Sequence, residues 1–282
     1  MGRPMLKSQS LQFRLLYDVI FRTIMGVMSS LLMLPLFFIL LYIFQKGLVA
    51  LDWHFFTQLP KPVGESGGGV ANAIVGTLML IGLAAIFSIP FGILIGTYLS
   101  ENKQSRLAEY TRLSIDTLQG VPSIVMGIIA YAWVVMPLGS FSALSGGIAL
   151  GLMMLPLVTK ATEETLNLIP HSLKEAAYAL GAPYSTTLLK VILPAGKKGI
   201  ISGILLGVAR VSGETAPLLF TAFGNPFMNT NMFQAVNSLP LLIFNYATSP
   251  YEDWQRLAWG SSLLLVLFVL SLSLLSKWVT RK

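Results

Sequence analysis

The chain has 282 residues, of which 54% are hydrophobic and only 11% charged, with no cysteine and a formal net charge of +7. Soluble domains carry about 25% charged residues, so this deficit and a mean hydropathy of +0.72 indicate a protein of the bilayer. Disulfides and thiolate metal sites are excluded, and His54 and His171 are too distant in sequence to suggest a metal pair. Lys and Arg occur in short clusters between apolar runs rather than on one patch, which argues against a nucleic-acid binder.

A span needs about 20 predominantly apolar residues. Six runs qualify: 24–45, 71–99, 117–137, 143–161, 199–223 and 257–276. The first exceeds the core of about 7–15 residues typical of a signal peptide and has no small-residue cleavage site after it, so it is read as a retained span. The second is long enough to tilt, or to bend at Pro90. Gly92 and Gly96 within it form a GxxxG pattern, which suits tight helix packing or a dimer contact. Met153 and Met154 read as packing residues.

Charge sets the orientation, because Lys and Arg concentrate on the cytoplasmic side. Arg3, Lys7, Arg14 and Arg22 precede the first span, and Lys103, Arg106 and Arg112 follow the second. Lys160, Lys174, Lys190, Lys197 and Lys198 surround the loop between spans four and five, and Lys277, Arg281 and Lys282 form the tail. The opposite side has only Lys46, Lys61 and Arg256. Both termini are therefore expected in the cytoplasm. Trp53, Trp254, Trp259 and Trp278 lie near span ends, as interfacial anchors do. Residues 60–69, rich in Pro and Gly, read as irregular. The run "LPLLIFNYA" inside 224–256 is too short to span and suits an interfacial helix, or one tucked into the mouth of the bundle. The expected division is 1–70 for the N-terminus, first span and outer loop, 71–276 for the transmembrane core including a cytoplasmic loop at 162–198, and 277–282 for the tail.

That cytoplasmic loop is punctuated as two short helices. Ser172 and Glu175 have capping-box spacing, "LKEAAYAL" is rich in helix formers, and Gly181 suits a left-handed helix end. Pro183 fits the first turn of a second helix, which Pro194 is expected to stop. On spacing alone this is either a helical connector or a docking knob. "EAAYALGAPYSTTLLKVILP" resembles the EAA loop of ABC-importer permeases, with Glu175, Ala176, Ala177, Gly181, Leu193 and Pro194 matching and Val191 standing where Ile is commoner. The resemblance implies an all-α, six-span, type I importer permease fold whose loop docks on a separate ATPase. No G-x-x-x-x-G-K-[ST] stretch occurs, so ATP would be bound by a partner, and the chain itself is expected to be no enzyme and to hold no cofactor or metal.

"ARVSGETAPL" places Arg210 and Glu214 in the fifth run. At 100° per residue, Gly196, Gly199, Gly203, Gly207, Arg210, Glu214 and Pro217 share one stripe. Arg210 lies about eleven residues into the run, roughly 17 Å along it, which predicts a midplane position costing about 2.5–3.5 kcal/mol. Glu214 is one turn on and placed to pair with it, while Gly213 and Pro217 are placed to bend the helix. Two readings stand: an ion pair that staples helices, or a guanidinium fork that handles an anion while Glu214 orients it and favours release. Asp116 reads as a cap or interfacial group, or a gate. Thr77, Ser88 and Ser123 read as backbone-bonded hydroxyls, or donors to a passing anion.

"GETAPLLFTAFGNPF", "LPLLIFNYATSPYEDWQRLAW" and "GVPSIVMG" resemble the permeases of phosphate-specific importers, PstA-type, over roughly 71–276. The resemblance implies phosphate import across a bacterial inner membrane, with Arg210, Glu214 and Thr215 on the substrate pathway. It also implies a PstC-type permease partner, two ATPase copies and an extracellular or periplasmic phosphate-binding protein. The alternatives are a permease for sulfate, molybdate or a phosphonate, an ion-gradient-driven transporter, or a scaffold in phosphate signalling.

Overall fold

The computed structural model describes residues 8–65 and 67–281, with side chains from Phe13 onward; Arg3, Lys7 and Lys282 of the charge count lie outside the described residues. The chain divides into two units, Met1–Lys46 and Gly47–Lys282. The first is nearly all one helix, α1 (Ser8–Leu48), apolar on every side and running through Pro35. It extends well past the expected 24–45.

The second unit is a helical bundle. A short helix α2 (Trp53–Thr57) is started by Asp52, whose carboxylate accepts from the Phe55 N–H at 2.7 Å. The following segment is irregular, as expected, with Gly64, Gly67 and Gly68 at positive φ. Then come α3 (Ala71–Glu101), α4 (Arg106–Gly120), α5 (Ser123–Leu138) and α6 (Ala143–Asn167). Next are α7 (His171–Ala179), α8 (Tyr184–Val211), α9 (Ala216–Leu219), α10 (Leu239–Ala247) and α11 (Glu252–Arg281). No strand occurs among the described residues, only a single bridge between Phe223 and Val236. Five helices are long and apolar enough to span a bilayer, and the pair α4–α5 raises the number to six.

Three boundaries differ from expectation. The run 117–137 is broken: α4 and α5 meet at 105°, because Val121 ahead of Pro122 is held extended at ψ 131. The apolar stretch thus begins in a helix at a steep angle to the span itself. The run 199–223 ends as a helix at Val211. Ser212 and Gly213 turn the chain, and Pro217, which lacks an N–H, sits at the start of α9 rather than inside a bent helix. Pro194 does not stop a helix. The residues Leu188–Ile192 form a π-turn, and α8 continues through Pro194 for 28 residues, since the widened turn absorbs a missing N–H. Pro90, by contrast, lies in a helix that continues unbroken.

Helix α6 is the axis of the bundle. Gly92 and Gly96 of α3 abut Val158, Thr159 and Thr162 of α6, so closely that a Cβ on Gly92 would sit 2.7 Å from Val158. Gly199 and Gly203 of α8 abut Thr165 and Ala161 on the same helix. The GxxxG pattern is thus used within the chain, by its tight-packing reading. The buried centre gathers Leu80, Ala84, Leu150, Met154, Val158, Leu218 and Leu241. Leu241 comes from α10, so the short apolar run tucks into the bundle. Its first turn is held by α3, where the Thr77 hydroxyl accepts from the Leu239 N–H at 2.8 Å. Bilayer helices gain little from apolar burial and depend on such close fit.

Gly203→Leu should therefore force α6 and α8 apart and destabilise the protein by about 1–3 kcal/mol. Gly82→Ala faces open space and should be neutral or stabilising by up to about 1 kcal/mol. Thermal unfolding in detergent checks both.

Candidate functional site

Two sets of expected residues fall at opposite ends of α8. At its N-terminal end is the corner formed by residues 168–183. Here α7 starts at His171 behind Pro170, and no side chain caps it. The Ser172–Glu175 capping box is therefore absent: Pro170 already sets the helix start, which places Ser172 inside the first turn. The helix ends as expected. Gly181 takes φ +78, its N–H donates to the Tyr178 carbonyl at 2.9 Å, and the Ala182 N–H donates to that of Ala177 at 3.1 Å. This is the paired closure of a Schellman end. Glu175 and Ala176 are exposed and Ala177 is buried. Around them Leu180 is 89% exposed and Leu168 85% exposed, with Tyr178 and Tyr184 also open. The corner is a rigid projection tipped with apolar side chains.

Three ion pairs knit this end together. Lys174 of α7 meets Glu101 at the end of α3 at 2.5 Å. Arg112 of α4 meets Glu163 of α6 at 2.7 Å and also donates to the Leu99 carbonyl at 2.8 Å. Lys160 of α6 meets Asp116 of α4 at 2.5 Å. Asp116 thus has a defined structural partner, which the one-dimensional reading did not identify.

At the other end, Arg210 occupies the last turn of α8. The midplane expectation assumed a helix continuing to 223; because the helix stops at Val211, Arg210 sits at its end. The glycine stripe is buried against α6, yet Arg210, one turn beyond Gly207, is exposed and Glu214 is half-buried. The two do not pair, because the end of the helix takes Glu214 off the α-helical register that would stack it on Arg210. Among the described residues neither forms an ion pair. Gly213 and Thr215 line a cleft of about 350 Å³ with Pro240, Ile243 and Phe244 of α10 and Ser262, Leu265 and Val266 of α11. Pro217 is buried and its backbone abuts Gly127 of α5, where a Cβ would lie 2.6 Å from the Pro217 Cα.

Sequence reasoning missed Asn72. This buried amide on α3 donates to the carbonyls of Asn225 and Pro226 at 2.8 and 3.0 Å, and so anchors the segment after α9. A polar side chain amid an apolar run was its available signal. Beside that segment a cavity of about 580 Å³ is lined by Phe223, Asn225, Asn237, Tyr246 and Trp254, among others. Tyr246 and Trp254 stack at 4.4 Å, and burial raises the Tyr246 phenol above its ordinary range, leaving it neutral. Thr77 and Ser88 bond to backbone, donating to Ala73 and Ala84. Ser123 is half-buried at the start of α5.

Comparison with known proteins identifies the family. Residues 88–282 match the family model described as binding-protein-dependent transport system inner membrane component. The chain is 44% identical over 248 residues, 88% of it and 84% of the relative, to the phosphate transport system permease protein PstA of Yersinia pestis. It is 41% identical over 240 residues, 85% of each, to the protein of the same name from Haemophilus influenzae. Among solved structures it resembles a chain of the MetNI methionine ABC transporter in inward-facing conformations, with a TM-score of 0.63 at 17% identity, covering 75% of this chain and 94% of that one.

The closure at Gly181 generates a graded expectation. No atom crowds that position, so only the backbone conformation penalises substitution. Gly181→Asn should cost least, Gly181→Ala about 1–2 kcal/mol, and Gly181→Val more. Protease susceptibility of the corner should rise in that order.

Proposed function

Because this chain belongs to the binding-protein-dependent transport system inner membrane component family and has the fold of ABC-importer permeases, we propose that it is the PstA-type permease subunit of an ATP-driven phosphate importer. It is a multi-pass membrane protein. In our reading the corner at 168–183 faces the cytoplasm, both termini lie on that side, and the membrane is a bacterial inner membrane. The Lys and Arg distribution supports this orientation.

The observation that carries the reading is the continuity of α8. One helix of 28 residues, about 42 Å long, runs from the corner to Arg210. A displacement at Glu175, Ala176, Ala177 and Gly181 is delivered as rigid-body motion to the turn bearing Arg210, Glu214 and Thr215. The projection fits a groove on an ATPase: its exposed Leu180 and Leu168 are the kind of apolar surface that an interface covers. The chain has no phosphate-cradling loop of its own, so two ATPase copies would supply hydrolysis. A homologous, PstC-type permease would complete the pathway.

Arg210 then acts as an anion-handling group. No carboxylate pairs with it among the described residues, so its planar fork is available to phosphate oxygens. Glu214, nearby in sequence and in no ion pair among the described residues, limits how tightly an anion is held, since transport requires release as well as capture. A phosphate-binding protein would deliver substrate at the opposite end, near 46–70 and 224–256, where Asn72 and the stacked Tyr246–Trp254 pair stiffen the surface.

Arg210→Ala should abolish uptake of labelled phosphate while leaving membrane insertion and ATPase association intact. Normal uptake by a stably inserted variant removes Arg210 from the mechanism. Competition by unlabelled sulfate or molybdate at equal potency would instead indicate another oxyanion, and uptake persisting without ATP would indicate an ion-gradient-driven transporter.

A further inference from the structure

The corner helix α7 is joined through the chain to only two long helices, α6 through residues 168–170 and α8 through residues 180–183. Helix α3 has no such link. Among the described residues one ion pair, between Glu101 and Lys174, joins its end to α7. We propose that this pair is the strut that carries movement of the corner to α3 and α4, so that Glu101 and Lys174 are positioning residues for the coupling of ATP hydrolysis to transport. The proposal rests on the importer reading above.

Three observations support it. First, the pair is set in a recess: the Lys174 side chain is 19% exposed and that of Glu101 12%. Salt therefore screens it less than an open surface pair. Second, it bridges a gap. A cleft of about 390 Å³ lies between the α3–α4 turn at 100–105 and His171 and Lys174 of α7. Both partners line that cleft, and their ion pair joins its two sides. Third, what it pushes on is stiff. Arg112 ties the end of α3 to α4 and to Glu163 of α6, and Lys160–Asp116 ties α4 to α6 again. A load arriving at Glu101 therefore moves a braced block rather than a frayed helix end.

The helix α7 faces two ways. Glu175 is exposed, on the side available to the ATPase, while the adjacent Lys174 turns inward to Glu101. Successive residues on a helix point about 100° apart, so neighbours in sequence serve separate partners. Without the strut, α7 would still dock and still drag α6 and α8, and α3 and α4 would follow only indirectly, through their packing and ion pairs with α6.

The test uses the full assembly with its partner permease, ATPase and phosphate-binding protein, reconstituted in liposomes and assayed for ATP hydrolysed per phosphate taken up. Glu101→Gln and Lys174→Met should each raise that ratio about fivefold, the lower end of ordinary coupling factors, with the ATPase still co-purifying. The exchange Glu101→Lys with Lys174→Glu should restore the wild-type ratio, which a merely structural defect at either position would not do. Unchanged ratios in the single variants, failure of the exchange to restore, or loss of the ATPase from the complex would each overturn the strut. If the wild-type assembly shows no ATP-dependent phosphate uptake, the importer reading fails and the strut falls with it.

Discussion

In a bilayer the lipid is as apolar as leucine, so helices hold together only where their surfaces fit closely. This constraint explains why α6 is the centre of the bundle. Gly92 and Gly96 on one side and Gly199 and Gly203 on the other let α3 and α8 approach the same helix. Its own Gly146, Gly147 and Gly151 receive Leu80, Leu83 and Phe87 in return. Every other placement follows: α10 is docked against this core through Leu241, and α8 is aligned so that the corner and Arg210 are held at its two ends.

Prolines show how neighbours decide what a local rule does. Pro35, Pro90 and Pro156 lie inside helices that continue. Pro194 is absorbed by the π-turn ahead of it. Pro122 and Pro217 instead stand at the start of a new helix, α5 and α9, where the preceding helix has already ended at Gly120 and Val211. A proline in a helix interior forfeits a hydrogen bond, whereas one at a helix start forfeits none. Whether packing on both flanks offsets that loss differs from site to site.

The charged groups divide into those that brace and those left open. Lys174, Arg112 and Lys160 each have a carboxylate at the corner end. Arg210 has none. A cation in the last turn of a helix is favoured by the helix dipole even without a carboxylate beside it.

Much of this was legible one-dimensionally. Apolar runs of bilayer length pointed to the all-helical class and to up to six spans, because an unbroken run of about 20 apolar residues suits a helix, whereas barrel strands are about half as long. Gly181 could be assigned its left-handed turn, since a glycine between a helix-forming run and a proline has few other uses. The twenty-residue loop pattern led to the family. What spacing could not settle was where helices end and which charges meet. Arg210 and Glu214 are one turn apart only if the helix continues, and it ends at Val211, where Gly213 and Glu214 turn back onto the Arg210 and Val211 carbonyls. Likewise Lys174 and Glu101 are 73 residues apart. Composition and period determine which segments enter the membrane, because that transfer is a property of each segment by itself. Partners and helix ends belong to the tertiary structure, because they depend on which surfaces the close fit of glycine against its neighbours brings together.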